Sequence, residues 1–264
     1  MYLKRKLVDY HIHSNNSVDG KSSLFEMCYK AIELGIGDIG FSEHVDFEPN
    51  DQGFGFFKYD KFTSEIENAQ KKFANKLVIR KGVEVDYQHC FENVVKGWFK
   101  NKKFDYIIGS VHYLNHELID QQLTMKKDIK ELYNSYFNEV SWSIKSGFFD
   151  VIGHFDVIGK YIDNRDLKLD KIDYWDKVKR ILREIVERRM YLEINSKGLN
   201  YANKSVTPNM KIIKRYIEND GKLVSIGSDA HSTEEMGIGI KEILNSLAPF
   251  NDRIELLFTK TNRL

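Results

Sequence analysis

Six of the eight histidines in this 264-residue sequence fall at the ends of short apolar runs. The first is His11-Ile-His13. In an extended strand residues i and i+2 face the same side, so both imidazoles can reach one ion. Asp229-Ala-His231 repeats that spacing near the other end of the chain. Between them lie Ser42-Glu43-His44, Gly82-Val83-Glu84-Val85-Asp86, Ser110-Val111-His112 and Gly153-His154-Phe155-Asp156. Taken singly, the histidines are more often structural, and Glu84 is about as often an acid paired with Arg or Lys. Glu84 is placed among residues suited to a buried strand, where a carboxylate needs a counter-charge that a divalent cation can supply. Recurrence is what carries the reading. Imidazole with carboxylate suits Zn, Mn or Fe, and the ligands outnumber what one ion needs, so two to three ions are expected. Such a cluster turns water into hydroxide near neutral pH and neutralises charge on a phosphoryl group. Hydrolysis of a small phosphate ester, by a hydroxide bridging two ions, fits best; amide hydrolysis on a similar scaffold is the chemical competitor.

The elements that must bring these residues together alternate along the chain. Short β-branched or apolar runs occupy Leu7–Ile12, Asp38–Ser42, Leu77–Val85, Tyr106–Val111, Phe149–His154, Tyr191–Asn195 and Leu223–Ser228. Helical spacing marks Ser22–Leu34, Tyr59–Phe73, Asp128–Lys145, Asp173–Arg189, Pro208–Asn219 and Thr233–Leu247. Ser23 with Glu26 predicts a capping box, and Thr207-Pro208 predicts an N-cap followed by proline at the first helical position. Gly35 and Gly147 stand where helices end. This rhythm implies a parallel α/β fold with right-handed crossovers. Nearly every strand ends in a candidate ligand, and only a closed barrel gathers all strand ends at one mouth. The expected fold is a distorted (β/α)7 TIM-like barrel forming a single domain over residues 1–264.

Composition narrows the partners. Hydrophobic residues make up 42% and charged residues 30% of the chain, a globular balance. Forty Lys plus Arg against 39 Asp plus Glu leave a net charge of +1, which gives no reason to expect a nucleic-acid partner. The two cysteines, Cys28 and Cys90, form no framework, and a reducing cytoplasmic setting is the simpler expectation. The N-terminal run lacks the apolar region of an export signal, and no stretch reaches the roughly 18 apolar residues of a membrane span.

Taken in order, Asp9-Tyr-His-Ile-His, Ser17-Val-Asp19-Gly20, Phe41-Ser-Glu-His44, Gly82-Val-Glu84, Ile108-Gly-Ser-Val-His112, Gly153-His-Phe-Asp156 and Gly227-Ser-Asp-Ala-His231 resemble the motifs of the polymerase-and-histidinol-phosphatase (PHP) family. The resemblance runs from residue 9 to about residue 240. It implies a trinuclear centre in which His11, His13, Glu84 and Asp229 hold one ion. Glu84, His112 and His154 would hold a second, and Asp19, His44 and His231 a third. Asp19 enters only through this resemblance, since it lies in the loop after the first strand; some members carry His there. Within the family the chain resembles the histidinol-phosphate phosphatases, including Leu192-Glu-Ile-Asn-Ser-Lys-Gly-Leu199, although Asn200 stands where those enzymes often have a basic residue. L-Histidinol phosphate is the substrate this implies. A nucleotide-directed phosphoesterase and a non-catalytic metal-binding regulatory domain are the alternatives.

Further roles are expectations. Asp156, two residues beyond His154, is the candidate to protonate the leaving alkoxide, with ligand orientation as its alternative. Glu43 is the other acid–base candidate, although a regular strand turns it away from His44. Lys160, Ser17 and Asn195 are candidate substrate contacts. His89 and His116 are expected at the surface or the rim. Phe47 and the run Gly53-Phe-Gly-Phe-Phe57 are expected to pack across the mouth or to wall the pocket.

Overall fold

A computed structural model describes residues 7–124, 128–160, 174–200 and 204–258. Strand β1 (Leu7–Ile12) leads into helix α1 (Leu24–Glu33). The helix start is fixed by the expected reciprocal bonds between Ser23 and Glu26, and Gly35, at φ +71°, leaves it in the left-handed conformation. There follow β2 (Ile36–Val45), α2 (Tyr59–Phe73), β3 (Val78–Asp86), α3 (Glu92–Trp98) and β4 (Tyr106–Ser110). A hairpin of β5 (Tyr113–Leu114) and β6 (Glu117–Leu118) precedes α4 (Ile119–Thr124) and α5 (Ile129–Ser146). The chain continues through β7 (Val151–Ile152), α6 (Trp175–Glu187), β8 (Tyr191–Asn195), α7 (Met210–Glu218), β9 (Leu223–Gly227), α8 (Ile240–Leu247) and β10 (Glu255–Leu256).

Eight strands form one sheet in the order β1-β2-β3-β4-β7-β8-β9-β10, all neighbours parallel. The sheet curls until its first and seventh members meet. The Asp229 N–H donates to the His11 carbonyl at 2.7 Å, and the His13 N–H donates to the Ala230 carbonyl at 2.8 Å. These bonds close the seven expected strands into a TIM-like barrel at their C-terminal ends. Strand β10, pairing with Leu223 and Val224 of β9, is a short eighth that the residue pattern did not announce. Helices cover the outside with apolar stripes, as in α6, where Val178, Ile181, Leu182 and Ile185 are buried at helical spacing.

Several expected boundaries move. Helix α7 begins at Met210, capped by the Asn209 side chain, so Pro208 lies outside it and Thr207 is not its cap. Asn209 prevails because its side chain accepts the N–H groups of Lys211 and Ile212. Helix α8 starts at Ile240 rather than Thr233, because Gly237 and Gly239 adopt positive φ and break the run. Helices α3 and α4 were not anticipated.

The barrel floor shows why glycine is needed in two central strands. The Tyr106 ring leaves β4 and crosses the interior until its hydroxyl donates to the Tyr10 carbonyl of β1 at 2.7 Å. A Cβ on Gly82 would stand 2.3 Å from that ring, and one on Gly40 would stand 2.2 Å from its hydroxyl oxygen. Phe258 and Tyr10 meet the same ring edge-on. Gly82→Ala should therefore overpack the floor and lower stability by about 1–3 kcal/mol. Urea unfolding measures this, and an unchanged midpoint would show that Tyr106 does not fill the barrel as described.

Candidate metal centre

The barrel mouth collects the strand ends, and with them the histidines. His11 ends up beside His13 (ring centroids 5.0 Å apart), and His13 stacks between His44 and His231, each at 4.2 Å. On the other side, His112 and His154 bring their Nε2 atoms to 3.2 Å. Glu84 of β3 lies between the two groups. Its Oε2 is 3.2 Å from His11 Nε2, 3.5 Å from His13 Nε2 and 3.1 Å from His44 Nδ1. Its Oε1 is 3.0 Å from His154 Nε2 and 3.8 Å from His112 Nε2. Asp229, held at φ +54° after β9, presents Oδ1 at 3.5 Å from His13 Nε2. Asp19, whose side chain is half exposed, approaches His231 Nε2 at 3.0 Å and His44 Nε2 at 3.7 Å. All nine expected ligands converge, and three groupings have donor atoms close enough to share an ion: His13/His44/His231, His11/His13/Asp229 and Glu84/His112/His154.

The donor set fits divalent cations. His11 Nε2, His13 Nε2 and Glu84 Oε2 are buried without a hydrogen-bond partner, and each is turned into the cluster. Buried polar atoms without partners are costly, and ligation satisfies them. Burial alone would raise the Glu84 carboxyl, but His11, His44 and His154 outweigh it and hold Glu84 well below the usual carboxylate range. Burial drives His13 well below the ordinary imidazole range, and the neighbouring His44 and His231 add to this. His13 is therefore a neutral ring with a bare nitrogen, the form that binds a metal.

Behind the cluster, a set of residues fixes the rings. Glu193 of β8 is fully buried. One of its oxygens lies 2.5 Å from His11 Nδ1, and the other accepts the His154 N–H at 2.6 Å. This acid went unassigned at the sequence level, although an acid within Tyr-Leu-Glu-Ile-Asn is the same signal that singled out Glu84. Asp86, on the face of β3 shared with Glu84, accepts the His112 N–H at 2.8 Å and lies 3.4 Å from its Nδ1. Such partners orient a ligand imidazole and raise its basicity.

Four expected roles are corrected here. Ser17 lies behind His13 rather than in the pocket: its hydroxyl donates to Glu43 at 2.6 Å and accepts from the His44 N–H at 2.9 Å. Glu43 is buried, and its carboxylate accepts from Ser14 and Ser17, so it fixes the loop after β1 and touches no substrate space. Burial pushes its carboxyl up to about 7, against the bonds from Ser14 and Ser17. Asn195 is buried, with its amide 3.3 Å from Asp229 and its carbonyl oxygen accepting the Lys197 N–H at 2.9 Å. Asp156 accepts two hydrogen bonds from Asn209 at the start of α7 and does not line the cavity. Burial raises its carboxyl to about 6. The side chain of Lys160 lies outside the described residues.

The cavity over the cluster is walled by Asp19, His44, Glu84, His112, His154, Asp229 and His231, with Asp46, Asp51 and Asp120 on one flank. Lys21 and Lys197 are the lysines that line it among the described residues. His116 pairs with Glu48 and His89 stacks on Trp142, both outside the cavity wall. Phe47 and Phe57 pack on Trp98, whereas Phe54 and Phe56 are exposed, and none of the four lines the cavity.

Residues 9–197 match the model of the PHP domain. The chain belongs to the PHP domain family. A Clostridium acetobutylicum protein named "Probable histidinol-phosphatase" is 30% identical over 239 residues, spanning 89% of this chain and 91% of its own. The histidinol-phosphatase of Lactococcus lactis subsp. lactis is 25% identical over 229 residues, spanning 86% and 84%. A crystal structure of histidinol phosphate phosphatase from the same organism, complexed with Zn, L-histidinol and phosphate, shares the fold: the TM-score is 0.84 at 22% identity, over 96% of this chain and 95% of that one.

Because Glu193 grips both His11 and the His154 backbone, Glu193→Gln should weaken metal binding by about 10–100-fold while the chain stays folded. Titration with Zn against a competing chelator reads this directly. Affinity equal to the parent's would show that Glu193 plays no part in presenting His11.

Proposed function

We propose that this chain is a metal-dependent phosphomonoesterase that hydrolyses L-histidinol phosphate to L-histidinol and inorganic phosphate. In this reading it works as one PHP-type domain in the cytoplasm with two to three divalent ions, Zn, Mn or Fe. The observation that carries the metal dependence is Glu84, whose two oxygens face different histidine groups, the arrangement of a carboxylate shared between ions. Relatives named histidinol-phosphatase that align over nearly nine-tenths of the chain support the substrate.

His11, His13, Glu84 and Asp229 would hold one ion; Glu84, His112 and His154 a second; Asp19, His44 and His231 a third. When bound, the ions supply activated water and neutralise charge at phosphorus. The protein's own contribution is geometric and electrostatic. Glu193, Asp86 and the Ser17–Glu43 pair keep the rings aimed, so little reorganisation accompanies substrate binding. The Asp51 and Asp120 carboxylates line the cavity, while burial pushes the Asp46 carboxyl beside them up to about 7; such a wall favours a substrate with cationic groups over a polyanionic nucleotide. Histidinol phosphate carries an ammonium group on the carbon next to its phosphorylated CH2 and an imidazole at its far end, so it brings cationic character to such a flank.

Purified protein loaded with Mn or Zn should hydrolyse L-histidinol phosphate at least about tenfold more efficiently (kcat/KM) than any nucleotide or sugar phosphate in a panel. Equal or better turnover of a nucleotide would overturn the substrate assignment. Removal of metal by a chelator should abolish hydrolysis, with recovery on adding Mn or Zn back; full activity in the stripped protein would refute metal dependence.

A further inference from the structure

Lys197 makes an unusual contact. Its side chain is about one-fifth exposed at the cavity wall, and its Nζ lies 2.8 Å from His231 Nδ1 and 2.6 Å from the Asp229 carbonyl oxygen. An ammonium has only N–H donors, so at 2.8 Å the His231 Nδ1 must accept, and the proton of a neutral ring then sits on Nε2. Nε2 is the atom turned into the cluster, 3.0 Å from Asp19 and 3.4 Å from His44 Nε2. A cation at Nε2 requires that nitrogen bare, which moves the ring proton to Nδ1. The Asp229 carbonyl, 3.0 Å from Nδ1, is placed to accept it. Two N–H groups then oppose each other, and the lysine must give up its contact with His231.

The other groups near that ammonium limit where it can turn. Glu235, 3.5 Å away, already accepts the His231 N–H at 2.9 Å. The Asp229 carboxylate, 3.7 Å away, is one of the candidate ligands. Both carboxylates can still accept from the ammonium, and the cavity that Lys197 helps to wall is the side from which a substrate would reach it. The base of the side chain is meanwhile fixed: the Lys197 N–H is bonded to Asn195 Oδ1, and the Ser196 N–H to the Gly227 carbonyl at 2.9 Å. We propose that Lys197 is the phosphate-binding cation of this site, its ammonium turning from His231 to a phosphoryl oxygen of bound substrate. A compact ammonium on a flexible stem suits this task, since it can exchange one partner for another without rebuilding its backbone. The inference rests on the phosphatase reading of the cavity and gives a substrate-binding role to a residue outside the ligand set, one that stands within the Leu192–Leu199 stretch but had no role assigned there.

The test uses the full chain, metal-loaded, with inorganic phosphate as the probe. Lys197→Met should raise the Kd for phosphate about tenfold or more by calorimetry, and Lys197→Arg should restore it to within about threefold of the parent, metal content by mass spectrometry being equal in all three. Phosphate affinity in Lys197→Met within about twofold of the parent's would overturn the proposal. So would a loss that follows a fall in bound metal and is not recovered by Arg, because that outcome makes Lys197 a support for Asp229 and His231. Lys197→Gln, close in length and polar, repeats the comparison should the Met variant fold poorly. The outcome is separable from the substrate assignment. A chain that prefers a nucleotide yet loses phosphate binding in Lys197→Met keeps this inference and loses the histidinol reading. A chain that hydrolyses histidinol phosphate with unchanged phosphate affinity in the variant does the reverse.

Discussion

Glu84 is a carboxylate with essentially no access to water, set in the third strand of a barrel and ringed by His11, His13, His44, His112 and His154. Taking a carboxylate out of water costs several kcal/mol even after relaxation, and beside the histidines only the Ser110 hydroxyl, donating to Oε1 at 2.5 Å, offsets it among the described residues. Imidazoles supply a partial answer, because they can be protonated, but stacked rings oppose one another's charge. His13, fully buried and pressed between His44 and His231, is held well below the ordinary imidazole range by its burial first and by those rings second. Divalent cations resolve both difficulties, since they neutralise Glu84 and need the rings in their neutral form.

Much of the surrounding architecture follows from that requirement. Parallel strands deliver the side chains at their C-terminal ends, and the hydrogen bonds joining β1 to the chain after β9 bring His11 and Asp229 together. Below the mouth, Tyr106 fills the interior and glycines at 40 and 82 make room for it. Outward of the ligands, acids serve as orienting groups: Glu193 for His11, Asp86 for His112, and Glu43 through Ser17 for His13. The polar residues of the mouth thus divide by depth. The buried acids hold rings, and the partly exposed Asp19 and Lys197 face the cavity.

This division explains which parts were legible in the residues alone. Strand spacing found eight of the nine converging candidate ligands, because i, i+2 patterns and strand ends are local properties. Asp19 escaped that logic, since loop residues have no periodicity, and it came from family likeness. The misplaced roles of Ser17, Asn195, Glu43 and Asp156 share one cause. A polar residue next to a ligand in sequence can face the cavity or back the ligand, and only the closed barrel decides which. Asp156 lies two residues beyond His154, yet the chain leaves β7 after Ile152, so strand parity no longer fixes its direction. Glu193 was readable by the argument applied to Glu84, an acid within an apolar strand. Helix ends were legible where local bonds set them, as at Ser23 and Gly35, and not where left-handed glycines delayed the start of α8.

Glu84, with its two oxygens toward different histidine groups, would be shared between two ions of a multinuclear centre. Metal stoichiometry of the parent chain and of Glu84→Gln, measured by mass spectrometry after loading with Zn and removal of excess, tests it most directly. The account predicts two to three ions per chain for the parent, and the loss of more than one for the variant, which should still fold because the amide matches the carboxylate in shape. A parent that holds at most one ion, or a variant that keeps the parent's full complement, would contradict it.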